Sequence, residues 1–185
     1  MIPPLFRRPP DPNSAVLYRA IVAQARQPAF YADLGVPDTV LGRFDMVVLH
    51  TALLLRRLRA GEAHTKLSQG IFDAFCADMD GNLREMGISD QGVPRQMKRV
   101  GEAFYGRARA YDTALAQADD GMLVEALARN VYAEGADSQV AAMPLAAYVR
   151  RMAGALEGQE FAALARGAVR FPEPEPLKTA AELKI

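Results

Sequence analysis

The chain has 185 residues, half of them hydrophobic and 24% charged, which fits one globular domain with a core large enough to need no covalent staples. Its 22 basic residues balance 22 acidic ones, so no general basic field exists to hold nucleic acid, and no direct nucleic-acid partner is expected. The single cysteine, Cys76, excludes an intrachain disulfide, and beside Phe75 it reads as a packing residue rather than a nucleophile.

The first 12 residues read as a disordered arm. The opening MIPPLFRRPPDPNS has no apolar h-region, so it is not expected to be a signal peptide, and it is too short and proline-rich for a good amphipathic transit peptide. The helical domain is expected over residues 13–170. Asn13 or Ser14 caps a first helix to about Arg26, which Gln27-Pro28 ends. A turn containing Phe30, Tyr31 and Leu34 leads to Asp38, the expected N-cap of a long helix reaching about Arg59. Leu41, Phe44, Val48, Leu55 and Leu58 line one face of that helix, and Val47, Leu49 and Leu54 widen it, so it should be central. Its apolar run, Met46–Leu55, is broken by His50 and Thr51 and falls short of the about 20 apolar residues that span a bilayer.

The next helix is expected from about His64 to Met86, with its apolar stripe at Leu67, Ile71, Phe75, Met79, Leu83 and Met86. The opposite face carries Asp73, Asp80 and Arg84. Met86-Gly87-Ile88 reads as a helix stop, with Gly87 in the left-handed cap conformation. Pro94 suits the first turn of another helix, whose stripe is Met97, Val100, Phe104, Ala108, Tyr111 and Leu115. Shorter helices follow over about Gly121–Tyr132 and Ser138–Leu156, the latter expected to kink or split at Pro144, and a last turn over Glu160–Ala168. From Phe171 the sequence FPEPEP opens a proline-rich C-terminal tail, residues 171–185. The fold class is all-α: a compact single-domain bundle of about six or seven helices with disordered terminal tails.

No pattern carries chemistry. Asp78, Asp80 and Asn82 hint at a calcium loop, but Gly81 falls two places too early and no loop-ending Glu follows. His50 lies in the apolar run and reads as a satisfied core histidine, while His64, near a helix start, reads as exposed. With no phosphate-binding glycine loop and no paired catalytic spacing, the protein is not expected to be an enzyme or to hold a cofactor or metal. Charge instead alternates along the chain. Residues 1–60 carry a net +4, 61–90 carry −4, 91–115 carry +3 and 116–185 carry −3, a pattern suited to internal pairing or to a charged protein partner. Basic groups gather at Arg56, Arg57 and Arg59, at the C-terminal end of a helix, and at Arg95, Lys98, Arg99, Arg107 and Arg109. Tyr105 and Tyr111 offer aromatic anchors beside them.

Three stretches carry a family resemblance: FYADLGVPDTVLGRFDMVVLHTALLLRRLR, LSQGIFDAFCADMDGNLREMGISD and MKRVGEAFYGRARAYDTAL. Spanning roughly Phe30–Tyr132, they resemble the ubiquinol–cytochrome c chaperone family, and the lack of an evident targeting segment points to a bacterial member. The resemblance implies an assembly factor for ubiquinol–cytochrome c reductase, respiratory complex III. The implied partner is newly made cytochrome b or a complex III assembly intermediate. Mitochondrial members act with a small partner protein and associate with the ribosome near its exit tunnel. The implied location is the cytoplasm, with peripheral contact at the inner membrane. Candidate protein-binding residues are Arg43, Asp45, Asp78, Asp80, Arg84, Glu85, Asp90, Lys98, Arg107, Tyr105 and Tyr111, some of which should instead be internal salt bridges. The alternative reading is an all-α carrier of haem, quinone or lipid, with His50 and the methionines near Leu83 as its haem ligands or apolar walls.

Overall fold

A computed structural model describes residues 12–59, 65–132 and 137–175. Among these residues the chain forms helices only: α1 (Pro12–Ala25), α2 (Pro28–Ala32), α3 (Val40–Leu58), α4 (Thr65–Glu85), α5 (Val93–Leu115), α6 (Gly121–Val131), α7 (Ser138–Glu157) and α8 (Phe161–Ala165). Six are long and two are single turns, which bears out the all-α bundle. The expected arm except Pro12, which opens α1, and most of the expected tail lie outside the described residues, as does His64. No described helix is long and apolar enough to cross a membrane.

The bundle is built around α3. Twelve of its residues are buried, and it packs against α1, α4, α5, α6 and α7. A helix so enclosed must satisfy its own polar side chains, because an unpaired polar group in an apolar interior costs about 1–3 kcal/mol. Thr51 does so locally, donating to the Val47 carbonyl at 2.7 Å. His50, fully buried, uses both ring nitrogens. Nδ1 lies 2.8 Å from the Met46 carbonyl, which fixes the proton there, and Nε2 therefore accepts from the Tyr148 hydroxyl at 2.9 Å. Tyr148 in turn accepts from Gln24 Nε2 at 3.1 Å, and Gln24 also donates to the Pro172 carbonyl at 2.9 Å. One hydrogen-bonded chain thus joins α3, α7, α1 and the segment after α8. Burial holds the His50 imidazole down to about pKa 4, so it is neutral at physiological pH.

A second hub is aromatic. Phe75 on α4 has ring centroids of Phe104 at 5.1 Å, Phe72 at 6.0 Å, and Tyr18 and Phe44 at 6.5 Å. Each such pair contributes roughly 0.5–1.5 kcal/mol beyond area burial. Gly70, one turn earlier, lets α1 approach α4: a Cβ there would sit 2.5 Å from Ser14 Oγ. α4 ends as expected. Gly87 has φ 83°, Ile88 N–H donates to the Leu83 carbonyl at 3.0 Å, and Gly87 N–H donates to Arg84 at 2.9 Å, a Schellman cap. Its stripe is buried as far as Met79, then leaves the core, so that Met86 is 62% exposed.

Three local expectations need correction. The cap of α3 is Thr39, whose hydroxyl accepts from Gly42 N–H at 3.0 Å, while Asp38 turns outward to Arg43. Pro144 does not split α7. Val140, whose carbonyl loses its donor to the proline, is 68% exposed, so water can replace the bond. Of the expected tail, residues 171–175 are described, and they are docked on the bundle rather than free. Phe171 packs edge-on to His50 at 6.1 Å, Pro174 is buried, and Gln159 holds Arg170 through both backbone groups at 2.8 Å.

The neutral His50 predicts a pH signature. Below its ordinary value of 6.5 the unfolded chain takes up a proton that the fold refuses until about pH 4. The stability His50 contributes is therefore complete above pH 6.5 and lost as pH falls toward 4, by at most about 1.4 kcal/mol per pH unit. His50→Gln should destabilise the protein at neutral pH, and its deficit in urea denaturation should shrink steadily from pH 7 toward 4.5. A deficit independent of pH would show that the ring does not titrate this way.

Candidate docking cleft

The eleven candidate residues fall into separate groups. Asp45, Arg107 and Tyr111 are internal. Asp45 is 5% exposed and pairs with Arg107 at 2.8 Å across α3 and α5, while Tyr111 is 1% exposed. Burial pushes the Asp45 carboxyl up to about 6, with Arg107 pulling the other way. The Arg107 guanidinium also lies 5.8 Å from the Phe44 ring centre. Asp45 and Tyr111 belong to the core, and Arg107, half-buried, is tied to it. Asp78 is half-buried and accepts from the Tyr18 hydroxyl at 2.7 Å, binding α4 to α1; burial first and this carboxylate second push the Tyr18 phenol upward.

The others are on the surface. Arg84 joins Asp80 at 2.6 Å and also reaches Asp90, bracing the turn after α4. All three are substantially exposed, so solvent screens their pairing and they stay available to a partner. Glu85 and the exposed Met86 stand beside them. Arg43 pairs with Asp38 at 2.6 Å and covers the Tyr31 ring; that pairing holds the Asp38 carboxyl below its ordinary value. Lys98 lies 3.8 Å from Glu102 on the outer face of α5.

Tyr105 marks a feature that sequence reading did not assemble. Its ring, 62% exposed, lies 5.5 Å from Phe72 and 5.6 Å from Phe104. Together with Ala52, Leu55 and Ala108 these rings line an apolar cleft of about 240 Å³ where α3, α4 and α5 meet, with Arg59 at one end and Ser68 and Gln69 along its edge. The geometry follows from helical spacing. Ser68 and Phe72 on α4, and Phe104 and Ala108 on α5, are four apart and so stack on one face. Adjacent Phe104 and Tyr105 then diverge, one inward and one to the lip. The signal was Phe72, an aromatic one place off the buried stripe of α4.

The arginines at the end of α3 are clamps. Arg57 donates to the carbonyls of Leu156 at 2.9 Å and Gln159 at 2.8 Å, and Arg56 reaches Glu157 at 2.7 Å and Asp112 at 3.7 Å. Arg59 also pairs with Asp112. These contacts hold the α3 end of the cleft against α5 and α7. Among the described residues no cluster of His, Cys, Asp or Glu is arranged to hold a metal. Cys76 is half-buried, and burial pushes its thiol up, which suits packing.

Comparison with known proteins places this scaffold. Residues 32–171, about three quarters of the chain, match the family described as ubiquinol–cytochrome C chaperone. The chain belongs to the ubiquinol–cytochrome c chaperone family. Its match extends past Tyr132, where the family-like stretches end, and takes in α7, α8 and the start of the docked segment. The fold is similar to that in the crystal structure of the Cbp3 homolog from Brucella abortus, with a TM-score of 0.80 and 41% sequence identity over 88% of this chain and 90% of that one. No curated protein matches the sequence.

The Asp45–Arg107 pair gives a second stability test. Arg107→Ala leaves a buried carboxylate unpaired and should cost about 3 kcal/mol at pH 7.5. Asp45 in the fold gains its proton near pH 6, well above an unfolded aspartate, so protonation relieves the cost as pH falls. Urea denaturation should show a clearly smaller deficit at pH 5. An equal deficit at both values would contradict a buried charged pair.

Proposed function

We propose that this protein is a non-enzymatic assembly chaperone for complex III that holds newly made cytochrome b, and that its client docks along the cleft between α3, α4 and α5. Membership of the family over residues 32–171 supports the role in complex III assembly. The observation that carries the docking site is Tyr105, a large aromatic side chain left 62% exposed at the mouth of an apolar cleft. Stray exposed leucines need no explanation, but a tyrosine over a preformed apolar floor is the usual anatomy of a binding anchor.

A membrane-protein client presents apolar helices joined by charged loops. The cleft supplies an apolar floor for a helix face. The charged end of α4 lies twelve residues beyond Phe72, roughly 18 Å along the helix. There Asp80, Arg84, Glu85 and Asp90 can meet a loop of either sign, with Met86 between them. Arg43 and Lys98 are outlying charged positions for longer client segments. The cytoplasmic side of the inner membrane, where such a client emerges, is the location this role requires. The carrier reading loses its natural haem ligand, since both nitrogens of His50 are hydrogen-bonded within the core.

Tyr105→Ala should leave folding nearly intact, because the side chain is mostly exposed, and lower capture of cytochrome b by about tenfold. A photo-crosslinking residue at position 105 should capture newly made cytochrome b in the host. Undiminished capture by the alanine variant, together with no crosslink at 105, would remove the cleft from the account.

A further inference from the structure

α5 also has a second working face. Arg95, Lys98, Arg99 and Arg109 are exposed along its outer side, opposed there only by Glu102. Lys98 shares Glu102 at 3.8 Å, and Arg95, Arg99 and Arg109 have no ion-pair partner among the described residues. In a chain of zero net charge this is a concentration of unneutralised cations. At the centre of the same face stands Gly106. Glycine inside a helix costs stability relative to alanine, and it usually stays because a neighbour needs the space. Here a Cβ would meet nothing within 4 Å, so no internal contact explains it.

Gly106 opens into a surface groove between α5 and α6 of about 320 Å³. Ala110 and Ala126 continue its floor, Met122 is 45% exposed on its wall, and Arg109 and Arg129 bank it from the two helices, outnumbering the one acidic lining residue, Glu125. Arg129 has only a loose partner, Glu125 at 3.8 Å. Small floor residues between two helices admit the ridge of a third helix at close approach. Guanidinium groups on either bank select carboxylates on that helix. The groove shares no lining residue with the cleft that holds Tyr105.

We propose that the α5–α6 groove docks an acidic α-helix of a partner protein, seated over Gly106 between Arg109 and Arg129, on a face separate from the α3–α4–α5 cleft. Two polypeptides can then occupy the protein at once, one on each flank of α5. The proposal does not rest on the identity of the client.

A fluorescein-labelled, alanine-rich helical peptide with glutamates along one face is the probe, titrated against the full chain by fluorescence anisotropy at low and physiological salt. Gly106→Gln fills the notch, keeps every charge and improves helix propensity, so it should melt no lower than wild type and bind about tenfold more weakly. The double variant Arg109→Glu, Arg129→Glu should abolish binding, whereas Tyr105→Ala should leave it unchanged. Wild-type affinity in Gly106→Gln would overturn the proposal, as would the absence of peptide binding. Tighter binding of single-stranded RNA than of the peptide would also overturn it, by marking the face as a general polyanion surface.

Discussion

Enclosing α3 on nearly all sides creates the constraint on which the rest of the molecule depends: its buried polar groups must find partners, and the partners lie on other helices. His50 reaches Tyr148 on α7, and through it Gln24 on α1 and the Pro172 carbonyl. Asp45 reaches Arg107 on α5. An apolar core of the same volume would accept many sliding arrangements of these helices. A chain of directional bonds in low dielectric accepts few, because each broken link strands a buried group. The register of α1, α5 and α7 on α3 is set this way, and at the end of α3 Arg57 locks the far end by donating to the carbonyls of Leu156 in α7 and Gln159 just past it.

That rigidity has a functional consequence. The proposed holding role requires no bond chemistry, only surfaces that keep their shape without a client. The cleft lies where α3, α4 and α5 diverge around the Phe75 cluster, and its floor is the outer layer of that cluster. Tyr105 and Phe72 are therefore held by the same ring contacts that hold the core, and the proposed docking there would cost little reorganisation. Charge is arranged to suit. Pairs that fix the fold are buried or half-buried, as with Asp45–Arg107, while the mixed charges at the end of α4 are exposed and contribute little to stability.

How much was legible in the sequence differs by level. Helical periodicity placed the six long helices, and the glycine after Met86 gave the stop of α4 down to its hydrogen bonds. Caps were less legible, because Asp38 and Thr39 are both good N-caps and only the tertiary position of Arg43 decides that Asp38 turns away. The Pro-rich run at 171 looked like a tail because composition cannot register that Phe171 meets His50, more than a hundred residues earlier. The candidate site was read from charge, and charge alone does not distinguish Asp45, buried against Arg107, from Asp90 in solvent. The cleft was hidden for a related reason. Tyr105 stood out as an aromatic anchor, but Phe72 and Leu55 look like ordinary apolar positions on two other helices until packing brings the three together.

The central claim is that the protein serves complex III assembly, and the most direct measurement is deletion of its gene in the native host. Assembled complex III would be read in membranes by native gel electrophoresis and by the cytochrome b difference spectrum. The account predicts loss of the assembled complex with the other respiratory complexes intact, restored by the wild-type gene. Normal complex III in the deletion strain across several growth conditions would contradict it.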